Sequence, residues 1–198
     1  MRKPASRLLS LLVPLALMAT GPVFAAGPHE GPMTEYAKTK VPAWLNNPLV
    51  VNAIKAQNAK NAAMTQADVD KLDKQWMAET KASDKPLING VLGNELSKYL
   101  KKVEGDSKGL ITEIFVMDDK GLNVGQSDVT SDYWQGDEAK WQKTFKVGAD
   151  AIHISDVSQD ESTQKFQSQL SLPVVDPDTK KPIGAVTIGI DVENLLQK

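Results

Sequence analysis

The chain has 198 residues, 23 of them basic and 25 acidic, a formal net charge of −2 and no cysteine. The lack of cysteine excludes disulfides, c-type haem attachment and thiolate metal sites. A net acidic chain without a basic tract argues against nucleic acid as a partner. Arg2, Lys3 and Arg7 precede the apolar run 8–19, which only Ser10 and Pro14 interrupt. Gly21-Pro22 then breaks the run, and Val23 and Ala25 fit the small-residue positions of a signal peptidase site. The run falls short of the roughly 20 apolar residues that span a bilayer. Residues 1–25 are therefore expected to be a cleavable export signal, with an uncleaved anchor as the alternative, and the mature chain is expected in the periplasm. Cleavage takes the 23 bases to about 20 against 25 acids, a balance of about −5, and every remaining base is lysine.

Residues 26–46, with Gly27, Pro28, Gly31, Pro32 and Pro42, read as a flexible leader. Asn47-Pro48 is a helix start, asparagine as N-cap and proline at the first helical position. Thr65 and Asp68 resemble a capping box and open a second helix striped with Val69, Leu72, Trp76 and Met77. Pro86 begins another helix whose apolar face runs from Leu87 to Leu100, and Gly105 and Gly109 close the helical part, 47–105. The period then changes to that of strands. Residues 110–117 and 122–126 flank the turn Asp118-Asp119-Lys120-Gly121, where glycine suits a positive φ. A short helix is predicted within 137–145, and strands over 151–157, 165–175 and 183–190. The chain ends in a helical turn through Val192, Leu195 and Leu196. Helices first and a meander after give an α+β fold with an antiparallel sheet over 110–198. The mature length suits one domain, 47–198.

The residues 110–196 resemble the extracellular Cache domains of bacterial receptors, also called PDC or periplasmic PAS-like sensor domains. The resemblance rests on Ile114–Asp118 with Gly121-Leu122-Asn123-Val124, on Asp132-Tyr133-Trp134 with Trp141, and on Asp160-Glu161-Ser162-Thr163. Leu172-Pro173-Val174-Val175-Asp176 and Pro182-Ile183-Gly184-Ala185-Val186 complete it as the paired closing strands. It implies a long helical region before a PAS-like sheet, in the form of a stand-alone exported sensor domain. Many members carry Arg-x-Trp-Tyr in the ligand segment, where the arginine grips a carboxylate. Here Ala139-Lys140-Trp141-Gln142 stands in that place, and lysine offers a point charge without the bidentate fork.

The ligand-binding candidates are Tyr133, Trp134, Asp137, Lys140, Trp141, Asp156, Asp160, Thr163 and Gln169. Aromatic walls with a few placed polar groups suit a small-molecule pocket, although aromatics also serve simply as core. His29 and His153 form no ligand-spaced pair, so neither a metal nor any other cofactor is expected. No Gly-x-Ser-x-Gly motif or cysteine nucleophile is present, which points away from an enzyme. The first reading is a periplasmic sensor that binds a small molecule and reports it to a membrane receptor or other envelope protein. The resemblance further implies a homodimer or partner surface on the N-terminal helices. A ligand-free envelope adaptor is the second reading, and a carboxylate-based hydrolase the third.

Overall fold

Helix starts follow the capping chemistry of the sequence. The computed structural model describes residues 27–159 and 166–197. Its helical part comprises α1 (Glu30–Thr39), α2 (Pro42–Leu45), α3 (Pro48–Lys60), α4 (Gln66–Glu79), α5 (Pro86–Leu92) and α6 (Glu95–Asp106). Asn47 caps α3 by accepting from the Leu49 N–H at 2.9 Å, and Pro48 fills a position whose N–H would lack a partner anyway. Thr65 and Asp68 make the full capping box on α4. The Thr65 hydroxyl first, and then the Thr65 N–H, hold the Asp68 carboxyl below its ordinary value of 3.8.

Thr65→Ala is expected to destabilise the fold by about 1 kcal/mol at neutral pH, the usual cost of a lost N-cap. A depressed carboxyl contributes stability above its unfolded value and loses it as the pH falls. The deficit of the variant should therefore shrink as the pH drops below 3.8. Urea midpoints of both chains across acidic pH check this.

Two elements differ from the sequence expectation. Residues 30–45 are helical and packed instead of a flexible leader. Met33, Ala37, Val41 and Leu45 recur every four residues and are all buried, while Gly31-Pro32 and Pro42 sit in first turns, where proline is tolerated. The single helix expected from Pro86 is two. Gly93 ends the first and Asn94 caps the second, accepting from the Ser97 N–H at 2.8 Å while its own amide donates to Val124 O.

The sheet contains β1 (Ile111–Met117), β2 (Asn123–Gln126), β3 (His153–Ile154), β4 (Ser158–Gln159), β5 (Phe166–Val175) and β6 (Pro182–Asp191). The order is β2-β1-β6-β5-β3, with β4 also on β5, and every pair is antiparallel. The strand expected over 151–157 narrows to β3. Helix α7 (Ala139–Gln142) lies between β2 and β3, and α8 (Val192–Leu196) follows β6. The β1–β2 turn has Gly121 at φ 84°, against Gly136, whose Cα would lie 2.5 Å from a Cβ there.

The alternation of the strands gives the sheet two faces. Ile114, Val116, Leu170, Val186, Ile188 and Ile190 meet α1, α2, α3 and α6 in the main core. Phe115, Met117 and Ala185 look the other way, onto Trp141 and Phe145. A third cluster joins α4 and α5 to Leu122 and Tyr133. Among the described residues, no helix is long and apolar enough to cross a membrane. The expected export signal, 1–25, lies outside the described residues.

Candidate functional site

The outer face of the sheet carries an unusual density of polar side chains. A bulge in β1 between Ile111 and Glu113 sets Thr112 and Glu113 side by side over Gly189 of β6. Any Cβ at position 189 would overlap the Thr112 hydroxyl, so glycine is what lets these groups close over the strand. Gln169, paired with Gly189 across the ladder, donates from Nε2 to Glu113 Oε1 at 3.0 Å. One step along, the Ser171 and Thr187 hydroxyls lie 3.0 Å apart, both fully buried. His153 is paired with Ser171 on β3. Burial first, and the Lys143 ammonium second, push its imidazole below the ordinary value.

The segment 130–145 covers part of this face, and a chain of hydrogen bonds fixes it. Gln126, next to Phe115 in the ladder, accepts from Asn123 Nδ2 at 2.9 Å. The same Nδ2 donates to Thr130 Oγ1 at 2.9 Å, and the Thr130 hydroxyl donates to Asp132 O at 2.7 Å. Gln135 Nε2 donates to Asp132 O at 3.0 Å, and Lys140 Nζ donates to Gln135 Oε1 at 3.1 Å. The Lys140 ammonium also pairs with Glu138 at 3.0 Å and stands 5.4 Å from the centre of the Phe115 ring. Its side chain is 15% exposed, a deep position for an ammonium. Gln126 Nε2 and Asn123 Oδ1 are buried without a hydrogen-bond partner among the described residues. Unmatched buried polar atoms are uncommon in folded proteins.

Asp73, on α4, ties this segment to the helical part. Its Oδ1 accepts from the N–H groups of both Tyr133 and Trp134, each at 2.9 Å. Asp73→Ala is expected to cost about 1–3 kcal/mol, the usual penalty for stranding partly buried donors. It should also diminish the near-ultraviolet circular dichroism that a fixed Trp76–Tyr133 pair produces. A denaturant titration and the aromatic spectrum check this.

The structure sorts the sequence candidates into separate places. Lys140 and Gln169 belong to the outer face. Tyr133 instead points into the helical part, stacked on Trp76 at 5.2 Å, and burial, with Asp118 second, raises its phenol to about 12. Trp134 and Trp141 donate their indole N–H to Lys120 O at 2.8 Å and Asp118 O at 3.1 Å. Asp137 is exposed on the other side of α7, and Asp156 is exposed in the loop after β3, so neither is gathered with Lys140 and Gln169. Asp160 and Thr163 lie outside the described residues. Among the described residues, no cluster of three or more histidine, aspartate or glutamate side chains has metal-ligand geometry. Glu113, Phe115, Gln126 and Gln135 were not among the sequence candidates. Strict alternation along β1 places Glu113 and Phe115 on one face, a signal available from residues 113–117.

No family model matches the chain, and no curated protein matches it. Solved structures do. A ligand-binding domain of a Campylobacter jejuni chemoreceptor, in complex with 4-methylisoleucine, aligns at TM-score 0.41 and 12% identity over 82% of this chain and 65% of that one. The sensor domain of a Vibrio cholerae histidine kinase aligns at 0.38 and 15%, over 80% and 60%. The ligand-binding domain of a Pseudomonas aeruginosa amino acid chemoreceptor, in complex with GABA, aligns at 0.37 and 12%, over 66% and 58%. The chain thus spans under two thirds of the length of each of these three. Each of the three is described as a sensor or ligand-binding domain.

Proposed function

We propose that the chain is an exported Cache-type sensor domain that binds a small solute on the outer face of its sheet and reports it to an envelope partner. The observation that carries this reading is the Lys140 ammonium, sunk over Phe115 and held by Gln135, on the face that bears the Gln169–Glu113 pair. An ammonium so placed suits the anionic group of a ligand, and Phe115 and Trp141 supply apolar contact. The buried unmatched amide atoms of Gln126 and Asn123 support a polar occupant nearby. Reporting needs a conformation that the ligand favours and the partner prefers. The hydrogen bonds that Tyr133 and Trp134 N–H donate to Asp73 give the ligand segment a direct mechanical tie to α4, and the N-terminal helices are the proposed surface for a receptor or a second copy. The sequence of residues 1–25 supports export by a cleaved signal, which intact-mass measurement of the secreted chain tests directly.

Binding is tested by thermal shift across organic acids, amino acids and amines. The reading expects an anionic or zwitterionic compound to stabilise the chain, and to do so less in Gln169→Ala. It fails if no compound on the panel gives a saturable shift.

A second reading, a ligand-free adaptor on the same fold, is favoured by the employment of Tyr133, Trp134 and Trp141 in packing and backbone hydrogen bonds. It expects capture of an envelope partner that is indifferent to Lys140→Ala and Gln169→Ala.

A further inference from the structure

An open cleft of about 390 Å³ lies between the first turn of α4 and the outer side of α7, apart from the polar sheet face. Val69, Met64 and the two indoles of Trp134 and Trp141 line its apolar part. Both indole N–H groups are spent on backbone carbonyls, those of Lys120 and Asp118. The half-buried Trp134 ring offers carbon surface to the cleft, whereas Trp141, 6% exposed and stacked on Phe145 at 4.9 Å, contributes only a small margin. Two lysines, Lys120 and Lys146, share the rim with one carboxylate, Asp137. Neither lysine is in an ion pair among the described residues. Lys146 Nζ hangs 5.0 Å from the centre of the Trp141 ring, so one positive group already sits directly over an aromatic wall. The capping box occupies the α4 N-terminus, which leaves the lysines as the groups available to an anion.

We propose that this cleft is a second binding site, for a small aromatic carboxylate. A planar ring stacks against the half-buried Trp134 indole, since offset and edge contacts favour another aromatic ring. The carboxylate then lies between the two ammonium groups. The volume falls in the range of small-molecule pockets, about 300–1,000 Å³. An aromatic cation would meet two like charges and one unlike, so the sign of the rim selects against it. The site does not rest on the sensor reading: its walls and cations come from Met64, Val69, Trp134, Lys120 and Lys146, whereas Lys140 and Gln169 serve the sheet face.

The test uses benzoate, benzyl alcohol and benzylamine as probes, titrated into the chain and followed by tryptophan fluorescence and saturation-transfer NMR. Benzoate is expected to bind saturably and more tightly than benzyl alcohol, with benzylamine weakest. Each exposed ion pair contributes up to about fivefold. The double variant Lys120→Ala/Lys146→Ala should therefore raise the benzoate Kd by about tenfold. Both lysines lie at the surface, and an unchanged Tm will show that the double variant is folded. Equal affinity for benzoate and benzyl alcohol, the absence of saturable benzoate binding, or a Kd indifferent to the double variant would each overturn the proposal. So would loss of benzoate binding in Lys140→Ala, which would place the probe on the sheet face. Failure here leaves the sensor reading standing, since that depends on compounds whose binding Lys140 controls.

Discussion

Asp118→Ala is expected to unfold the chain at roughly 3–5 kcal/mol less cost than the parent. Asp118 is fully buried. One oxygen accepts from the Lys120 and Leu122 N–H groups, each at 2.9 Å, and so closes the turn between β1 and β2. The other accepts from Gln57 Nε2 and Asn61 Nδ2, each at 3.0 Å, and so fastens α3 to that turn. Alanine strands the Lys120, Leu122 and Asn61 donors, whereas Gln57 Nε2 keeps longer bonds to the Leu122 and Asn123 carbonyls. A buried donor left without a partner costs about 1–3 kcal/mol, and those at the edge recover part of this from water. Against a typical net stability of about 5–15 kcal/mol, the loss is large. Asp118→Asn keeps one acceptor oxygen and should lose distinctly less. Guanidinium unfolding with an unchanged m-value measures both. A loss below about 1 kcal/mol for the alanine variant would show that these four bonds do not hold the turn.

Lys140→Ala is expected to weaken binding of the proposed anionic solute by about 10–100-fold, the range for a hydrogen bond to a charged group. The ammonium has three N–H donors; Gln135 and Glu138 engage it on one side and the Phe115 ring lies beneath. Lys140→Met retains most of the stem over Phe115 and so separates charge from packing. Its stability should stay near that of the parent while its affinity falls as in the alanine variant. Calorimetric titration of both variants with a compound found by thermal shift checks this. Equal affinity in parent and Lys140→Met would remove Lys140 from the site.

Local chemistry made much of the fold legible. The Asn47-Pro48 start, the Thr65/Asp68 box and the Asp118–Gly121 turn all lie within four residues of their partners, so the sequence displays them whole. The packed helices over 30–45 are less legible, because Gly31, Pro32 and Pro42 suggest mobility while the four-residue repeat of Met33, Ala37, Val41 and Leu45 carries the helical signal. The break at Asn94 shows only when its two roles are combined: a cap for Ser97 and a bond to Val124 on the neighbouring strand.

The site was less legible because it is assembled from distant residues. Gln169 meets Glu113 across 56 positions, and Asp73 reaches Tyr133 across 60. Composition drew attention to the aromatic residues between 133 and 141, yet their rings are mostly engaged in packing. Lys140, the one cation of that segment, reaches the sheet face at Phe115, where Trp141 also packs. The bulge at Glu113 and the close approach of Thr112 and Glu113 over Gly189 are features that no residue pattern announces.

The central claim, a solute held on the outer face of the sheet at Lys140, is tested most directly by thermal unfolding of the parent and Lys140→Met chains against one panel of small organic acids and amino acids. The account predicts that at least one compound raises the parent Tm in a saturable, concentration-dependent way and that the rise largely disappears in Lys140→Met. A panel on which no compound shifts the parent, or on which the two chains shift equally, would contradict it.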